Sequence, residues 1–175
     1  MKTVSKLTLA LMILLTTSAC DQLDELTEFD FNTTLNESFF LALQGGIDQP
    51  FNQTTTFNIV NEDTQDYIDA LQDVEITSFT YRFVNFSGDA AGTIDGSLQA
   101  DNMTLFVHNN LNVKQAADEG TVFPVTDVSA LNSIATSLKN GNDVSVGLSG
   151  SYSSEGTMSF TIEMTIGLAI TADVL

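Results

Sequence analysis

The chain has no tryptophan, one cysteine, one histidine and two prolines in 175 residues. A lone cysteine excludes an intrachain disulfide and cannot by itself make a thiolate metal site. A lone histidine, His108, leaves little for hydrolytic chemistry, because a nucleophile needs a positioned base. Serines are frequent, but none stands in a G-x-S-x-G elbow, and no glycine-rich phosphate loop occurs. His108 ends a strand-like run beside Asn109 and Asn110, and an exposed imidazole is expected there. Cations are scarce, with Lys and Arg totalling 5 against 23 Asp and Glu. Nucleic-acid binding rests on Lys and Arg meeting phosphate, so this composition argues against it. No apolar run approaches the roughly 20 residues of a membrane-spanning helix. With tryptophan missing, the 12 phenylalanines must supply the large core side chains.

The first twenty residues have an ordered layout. Lys2 and Lys6 give a positive start, Leu7 to Leu15 form an apolar run broken only by Thr8, and Thr16, Thr17, Ser18 and Ala19 are small. Charge, a short apolar run and small residues in that order form a secretory signal. Thr17-Ser18-Ala19-Cys20 resembles the lipobox of bacterial lipoproteins, with Thr17 where leucine is usual. The resemblance covers residues 1 to 20. It implies cleavage before Cys20, a diacylglycerol thioether on its sulfur and acylation of the new amine. One acyl chain gives only marginal attachment, whereas two or three hold a protein firmly to a membrane.

Removal of residues 1–19 leaves Arg82, Lys114 and Lys139 against all 23 acids, a formal charge of −20. Such a chain is soluble and is repelled by anionic lipid. Residues 20–28 read as a lipidated acidic tether, and residues 29–175 as a single β-rich domain. The acids Asp24, Glu25 and Glu28 behind the cysteine favour the outer membrane over the inner.

Alternation dominates the mature chain. Phe29, Phe31, Thr33 and Leu35 share one strand face, as do Phe39, Leu41 and Leu43, and Asn36-Glu37 between the two runs suggests a tight hairpin. QGGIDQP breaks the pattern before a strand at 54–60. Residues 73–86 read as a central strand, or one with a bulge, because both faces are fairly apolar: Phe79, Tyr81 and Phe83 on one, Val74, Ile76, Thr80 and Val84 on the other. Residues 157–172 alternate most strictly, with Met158, Phe160, Ile162, Met164, Ile166, Leu168 and Ile170 at even positions. One buried and one wet face mark an antiparallel sheet. Val144, Val146, Leu148 and Tyr152 line the strand before it, with SSEG as a connecting hairpin.

Two helices are expected. One runs from an Asp127 N-cap to Gly141, with Val128, Leu131, Ile134, Ala135 and Leu138 as its apolar stripe. The other is shorter, over 63–73, capped by Asp63, with Tyr67, Ile68 and Leu71 on one face. The fold class is therefore mainly β: an antiparallel sandwich or curved sheet of about eight strands with two short helices packed on it. The 127–141 stripe is expected to cover the even-numbered face of the last strand. A helix followed by two strands occurs twice, which hints at duplication, but the offsets, 67 and 70 residues, disagree.

Asp63, Asp66, Asp69 and Asp73, at spacings of three and four, would share one side of the short helix. Such a ladder could offer oxygen ligands to a hard cation, but the EF-hand spacing is absent and a solvated face explains it as well. Asp89 and Asp95 flank AAGTI and read as turn residues. The five Asn-x-Ser/Thr triplets read as strand ends rather than glycan sites. No cofactor is expected. The leading expectation is a non-enzymatic envelope lipoprotein, a structural or interaction module held to the membrane through Cys20. The alternatives are a carrier of an apolar ligand in a cavity lined by Phe79, Phe83, Met158, Phe160 and Met164 and, with less support, a hydrolase using His108.

Overall fold

The computed structural model describes residues 28–173, which fold into eight strands and two short helices. The strands are β1 (Glu28–Leu43), β2 (Gly46–Phe57), β3 (Leu71–Gly88), β4 (Thr93–Ala100), β5 (Met103–Asn112), β6 (Val122–Pro124), β7 (Val144–Ser154) and β8 (Met158–Asp173). The helices are α1 (Val113–Asp118) and α2 (Val128–Lys139). Two antiparallel four-stranded sheets form, in the orders β1-β8-β3-β6 and β2-β7-β4-β5. Of the consecutive pairs, only β4 and β5 share a sheet; every other connection crosses to the opposite layer. This double crossing is the jelly-roll arrangement, which leaves two wet outer faces and one core between the sheets.

The alternation named above sets that core. Every even residue of β8 from Met158 to Ala172 is buried, and the odd residues stay half-exposed. β1 pairs with β8 in unbroken register from Glu28↔Asp173 to Leu43↔Met158. Its odd residues Thr33, Leu35, Phe39, Leu41 and Leu43 therefore turn inward with the even face of β8. On β3 a register shift between Ile76 and Ser78 lets Val74 share the inward face with Phe79, Tyr81 and Phe83. An inserted residue changes the parity of the pattern, which is why both faces of this strand read as apolar.

Several local expectations are corrected. Asn36-Glu37 makes no hairpin: β1 runs straight through both residues, which pair with Thr165 and Met164. Residues 46–50 of QGGIDQP belong to β2, with a register irregularity between Gly46 and Gln49. The SSEG segment joins strands of different sheets, so it is a crossover rather than a hairpin. The same holds for the link between β3 and β4, where Gly88 takes φ +106° and a Cβ would fall 2.0 Å from the Thr157 carbonyl oxygen. Within one sheet the tight hairpin is Asp101-Asn102, both at positive φ, between β4 and β5.

The helices also differ from expectation. α2 begins as read, with Asp127 Oδ1 accepting from the Ala130 amide at 3.0 Å, and Gly141 follows it at φ +71°. Leu131 is half-buried and Ile134, Ala135 and Leu138 are buried, but Val128 faces solvent. α2 packs chiefly on β3 rather than on the even face of β8, which points into the space between the sheets. Residues 63–73 form no α-helix; they are turns followed by a 3₁₀ turn at Ile68–Ala70 and the start of β3. The second helix is α1, where Asn112 Oδ1 accepts from the Gln115 amide at 2.8 Å. No helix of the described residues is long and apolar enough to cross a membrane.

Candidate functional site

Cys20 and the tether to Thr27 lie outside the described residues. β1 begins at Glu28 beside Asp173 of β8, so the described chain enters the domain at one end of the sandwich. That end gathers the 58–70 loop, the Asp101-Asn102 hairpin and the turn between α2 and β7. It is densely acidic, carrying Glu28, Asp30, Glu62, Asp63, Asp66, Asp69, Asp73, Asp101, Asp143 and Asp173.

The four acids singled out as a ladder do not form one. Asn61 organises their loop instead: its Oδ1 accepts from the amides of Asp63 and Thr64, at 2.8 and 3.0 Å. The buried Thr64 hydroxyl donates to the Ile59 carbonyl. Asp63 caps no helix; its carboxylate accepts from the Thr33 hydroxyl at 2.7 Å and fastens the loop to β1. Asp66, Asp69 and Asp73 project into solvent from a turn, the 3₁₀ turn and β3 respectively. Among the described residues no group of three or more His, Cys, Asp or Glu side chains could hold a metal ion.

Asp95, read as a turn residue, lies instead within β4, paired with Ser151 of β7. Asp89 is a turn residue, as expected, and a hub. Its carboxylate accepts from the amides of Ala91 and Glu155 at 3.0 and 2.7 Å, and from the Ser154 hydroxyl at 2.9 Å. These bonds, the Ala91 amide foremost, hold its carboxyl below the usual range. Asp89 thereby ties the β3–β4 crossover to the β7–β8 crossover. Asp95 accepts from the Asn110 amide at 2.7 Å, across the bulged β4–β5 pair.

His108 is not exposed. It is 4% accessible and points into the core from β5. Its Nε2 and the Tyr81 hydroxyl oxygen lie 2.7 Å apart and share a hydrogen bond. The rings of Tyr81, Phe83, Phe106 and Phe123 surround the imidazole at centroid distances of 5.7, 5.6, 4.9 and 4.9 Å. Burial lowers the imidazole pKa to about 4 and raises that of the Tyr81 phenol. Both groups are therefore neutral near pH 7 and joined to each other. A base needs to reach the proton it abstracts, and this imidazole is walled in by rings.

Phe79, Phe83, Met158, Phe160 and Met164 are each no more than 1% exposed and belong to one continuous core. Phe57 of β2 meets Phe79 edge-on at 6.1 Å, and Phe83 meets Phe160 at 5.6 Å. These side chains fill the space between the sheets with one another.

One concavity lies on the outer surface. A groove of about 540 Å³ crosses the wet face of the β1-β8-β3-β6 sheet. Strand pairing lays its residues in two rows: Asn36, Thr165 and Thr80, then Ser38, Glu163, Arg82 and Val122. Arg82 Nε and Nη2 both reach Glu163 Oε2, at 2.8 and 2.7 Å. The Thr165 hydroxyl donates to Asn36 Oδ1 at 2.9 Å, which fixes the amide and leaves its nitrogen outside that bond. No sequence pattern joins these residues into a site, because Ser, Thr, Asn and Glu alternating with apolar residues are what any wet face shows. Only the strand order brings them together.

No family model matches the chain, and no curated protein matches it. Among solved structures it is similar to that of desmodium yellow mottle tymovirus, at 9% identity and TM-score 0.36, over 83% of this chain and 90% of that one. It is also similar to the 60-mer BFDV capsid protein, at 7% identity and TM-score 0.39, over 85% and 96% of the two chains. A third is the cyanophage Pam1 capsid asymmetric unit, at 13% identity and TM-score 0.37, over 78% and 84%. Likenesses this distant carry no argument about what the chain does.

Proposed function

We propose that this protein is a lipid-anchored envelope protein whose β-sandwich serves as a non-enzymatic structural or interaction module. The observation that carries the reading is the setting of Cys20: it is the chain's only cysteine, it closes a signal-like N-terminus, and the first strand starts eight residues later. An acylated Cys20 would hold the domain by its acidic end. Anionic lipid repels that end, so the acyl chains alone supply attachment and the domain stands away from the bilayer. The outer membrane is the favoured site, from the acids behind the cysteine.

Two further facts favour a module over an enzyme or a carrier. The one histidine is locked against Tyr81 inside a ring of phenylalanines. The five residues named for an apolar cavity pack on one another. A binding role is left to the outer faces.

Fractionation of the native host tests the reading. The protein should stay with membranes through a 1 M salt wash and leave them in detergent, while a Cys20→Ala variant should appear in the soluble fraction. Release of the wild type by salt alone would contradict attachment through acyl chains. Protease treatment of intact cells then reports which side of the envelope the domain faces.

A further inference from the structure

We propose that the groove across the β1-β8-β3-β6 sheet is a binding site for a neutral polyhydroxyl chain, a stretch of uncharged oligosaccharide. The proposal gives the interaction-module reading a ligand class, and it rests on that reading only in supposing that the outer face binds something.

The groove excludes other ligand classes one by one. An anion meets a domain with three cations, one of which, Arg82, is already paired with Glu163. A cation is drawn to the acidic end instead, and in the groove it faces the Arg82 guanidinium. An apolar ligand meets a lining in which Asn36, Ser38, Thr80, Arg82, Glu163 and Thr165 outnumber Tyr81, Val122 and Met164, and Tyr81 and Met164 bury their side chains in the core beneath. A peptide needs either a strand edge to run along or pockets for anchor side chains, and this groove runs across the strands on the sheet's face.

A polyol fits the chemistry that remains. Each sugar hydroxyl both donates and accepts, and adjacent hydroxyls suit planar groups that present two sites at once. Arg82 and Glu163 are such groups, and their mutual contact holds them in place. Among the described residues neither Glu163 Oε1 nor Arg82 Nη1 makes a hydrogen bond, so an acceptor and a donor stand side by side. Asn36, fixed by Thr165, offers its amide nitrogen in the neighbouring row. One row beyond Ser38, on the same face, Phe40 is 58% exposed beside Thr161. An exposed ring next to directional polar groups can take the C–H face of a sugar while those groups take its hydroxyls. The volume, about 540 Å³, falls within the range of small-molecule sites, about 300–1,000 Å³. All these side chains stand on paired strands, so little order has to be created on binding.

The test is calorimetric titration of the full mature protein in detergent with cellohexaose, xylohexaose, maltohexaose and chitohexaose. Saturable binding of at least one is expected. It should weaken at least tenfold in Arg82→Ala, Glu163→Ala and Phe40→Ala, and be unchanged in Thr54→Ala on the opposite sheet. Far-UV circular dichroism of each variant should match the wild type. Absence of saturable binding for all four at millimolar concentration overturns the proposal, as does binding that the three groove variants leave intact. The mass of the N-terminus reports lipidation independently, so failure here leaves the anchor reading standing and failure there leaves this one.

Discussion

The Tyr81 hydroxyl oxygen and His108 Nε2 meet at 2.7 Å between the layers, the tyrosine from β3 of one sheet and the histidine from β5 of the other. This polar link crosses a core built mainly of phenylalanine, leucine, isoleucine, valine and methionine. A buried donor and acceptor cost little when joined and much when one is removed. Tyr81→Phe keeps the ring, and with it the stacking on Phe123 at 5.2 Å, but leaves the imidazole nitrogen without its partner. A loss of about 1–3 kcal/mol is expected, read as a lower urea midpoint at unchanged slope. An unchanged midpoint would mean that water or another group takes over the bond.

The same pair makes stability depend on pH. Burial depresses the His108 pKa from 6.5 to about 4. Between those values the unfolded chain binds the proton and the folded one does not. Stability therefore falls as pH drops from about 6.5 towards 4, and the group adds no pH dependence above that window. The whole shift corresponds to about 3 kcal/mol. Asp89, held below its usual range by its hydrogen bonds, acts in the same sense, its contribution being lost as it protonates at acid pH. His108→Gln keeps a polar partner for Tyr81 and removes the titration. Urea midpoints taken from pH 7 to pH 4 should therefore fall less steeply in the variant than in the wild type. Parallel curves would mean that His108 titrates normally in the folded protein.

Two phenylalanines on opposite faces of the first sheet should respond in opposite ways. Phe160 on β8 is fully buried, and Phe160→Ala should cost about 3–5 kcal/mol through lost transfer energy and a residual cavity. Phe40 on β1 points to solvent, and Phe40→Ala should stay within about 0.5 kcal/mol of the wild type. Comparable costs at the two positions would contradict the registration of β1 on β8.

How far the sequence speaks for the fold depends on which residues are asked. The even-numbered residues of 158–170 identified the inward face of β8, because strict alternation has one structural meaning when one face is dry. Phe39, Leu41 and Leu43 did the same for β1. Asn36-Glu37 misled, since polar residues within a strand resemble a turn; here they continue a sixteen-residue strand at the border of its sheet. Turn residues such as 155–157 mark a reversal but cannot say whether the chain pairs back or crosses to the other layer, so the jelly-roll order was not legible. α1 escaped notice at six residues, its one signal being Asn112 three residues before Gln115. The Asp63 segment read as a helix because Asp63 suits an N-cap and Tyr67, Ile68 and Leu71 fall on one helical face, but the Asn61 side chain gives the backbone a turn instead. The burial of His108 follows from β5 pairing with β4 around a register shift, which no local pattern reveals. Cys20 stands apart: the reading proposed for it rests on the order of the residues before it, not on the fold.

Lipid attachment at Cys20 is decided by intact mass measurement of the mature protein from its native host. The expected chain begins at Cys20 and carries the added mass of a diacylglyceryl group, with or without an acyl group on the amine. An unmodified chain, or one that begins at another residue, would contradict it.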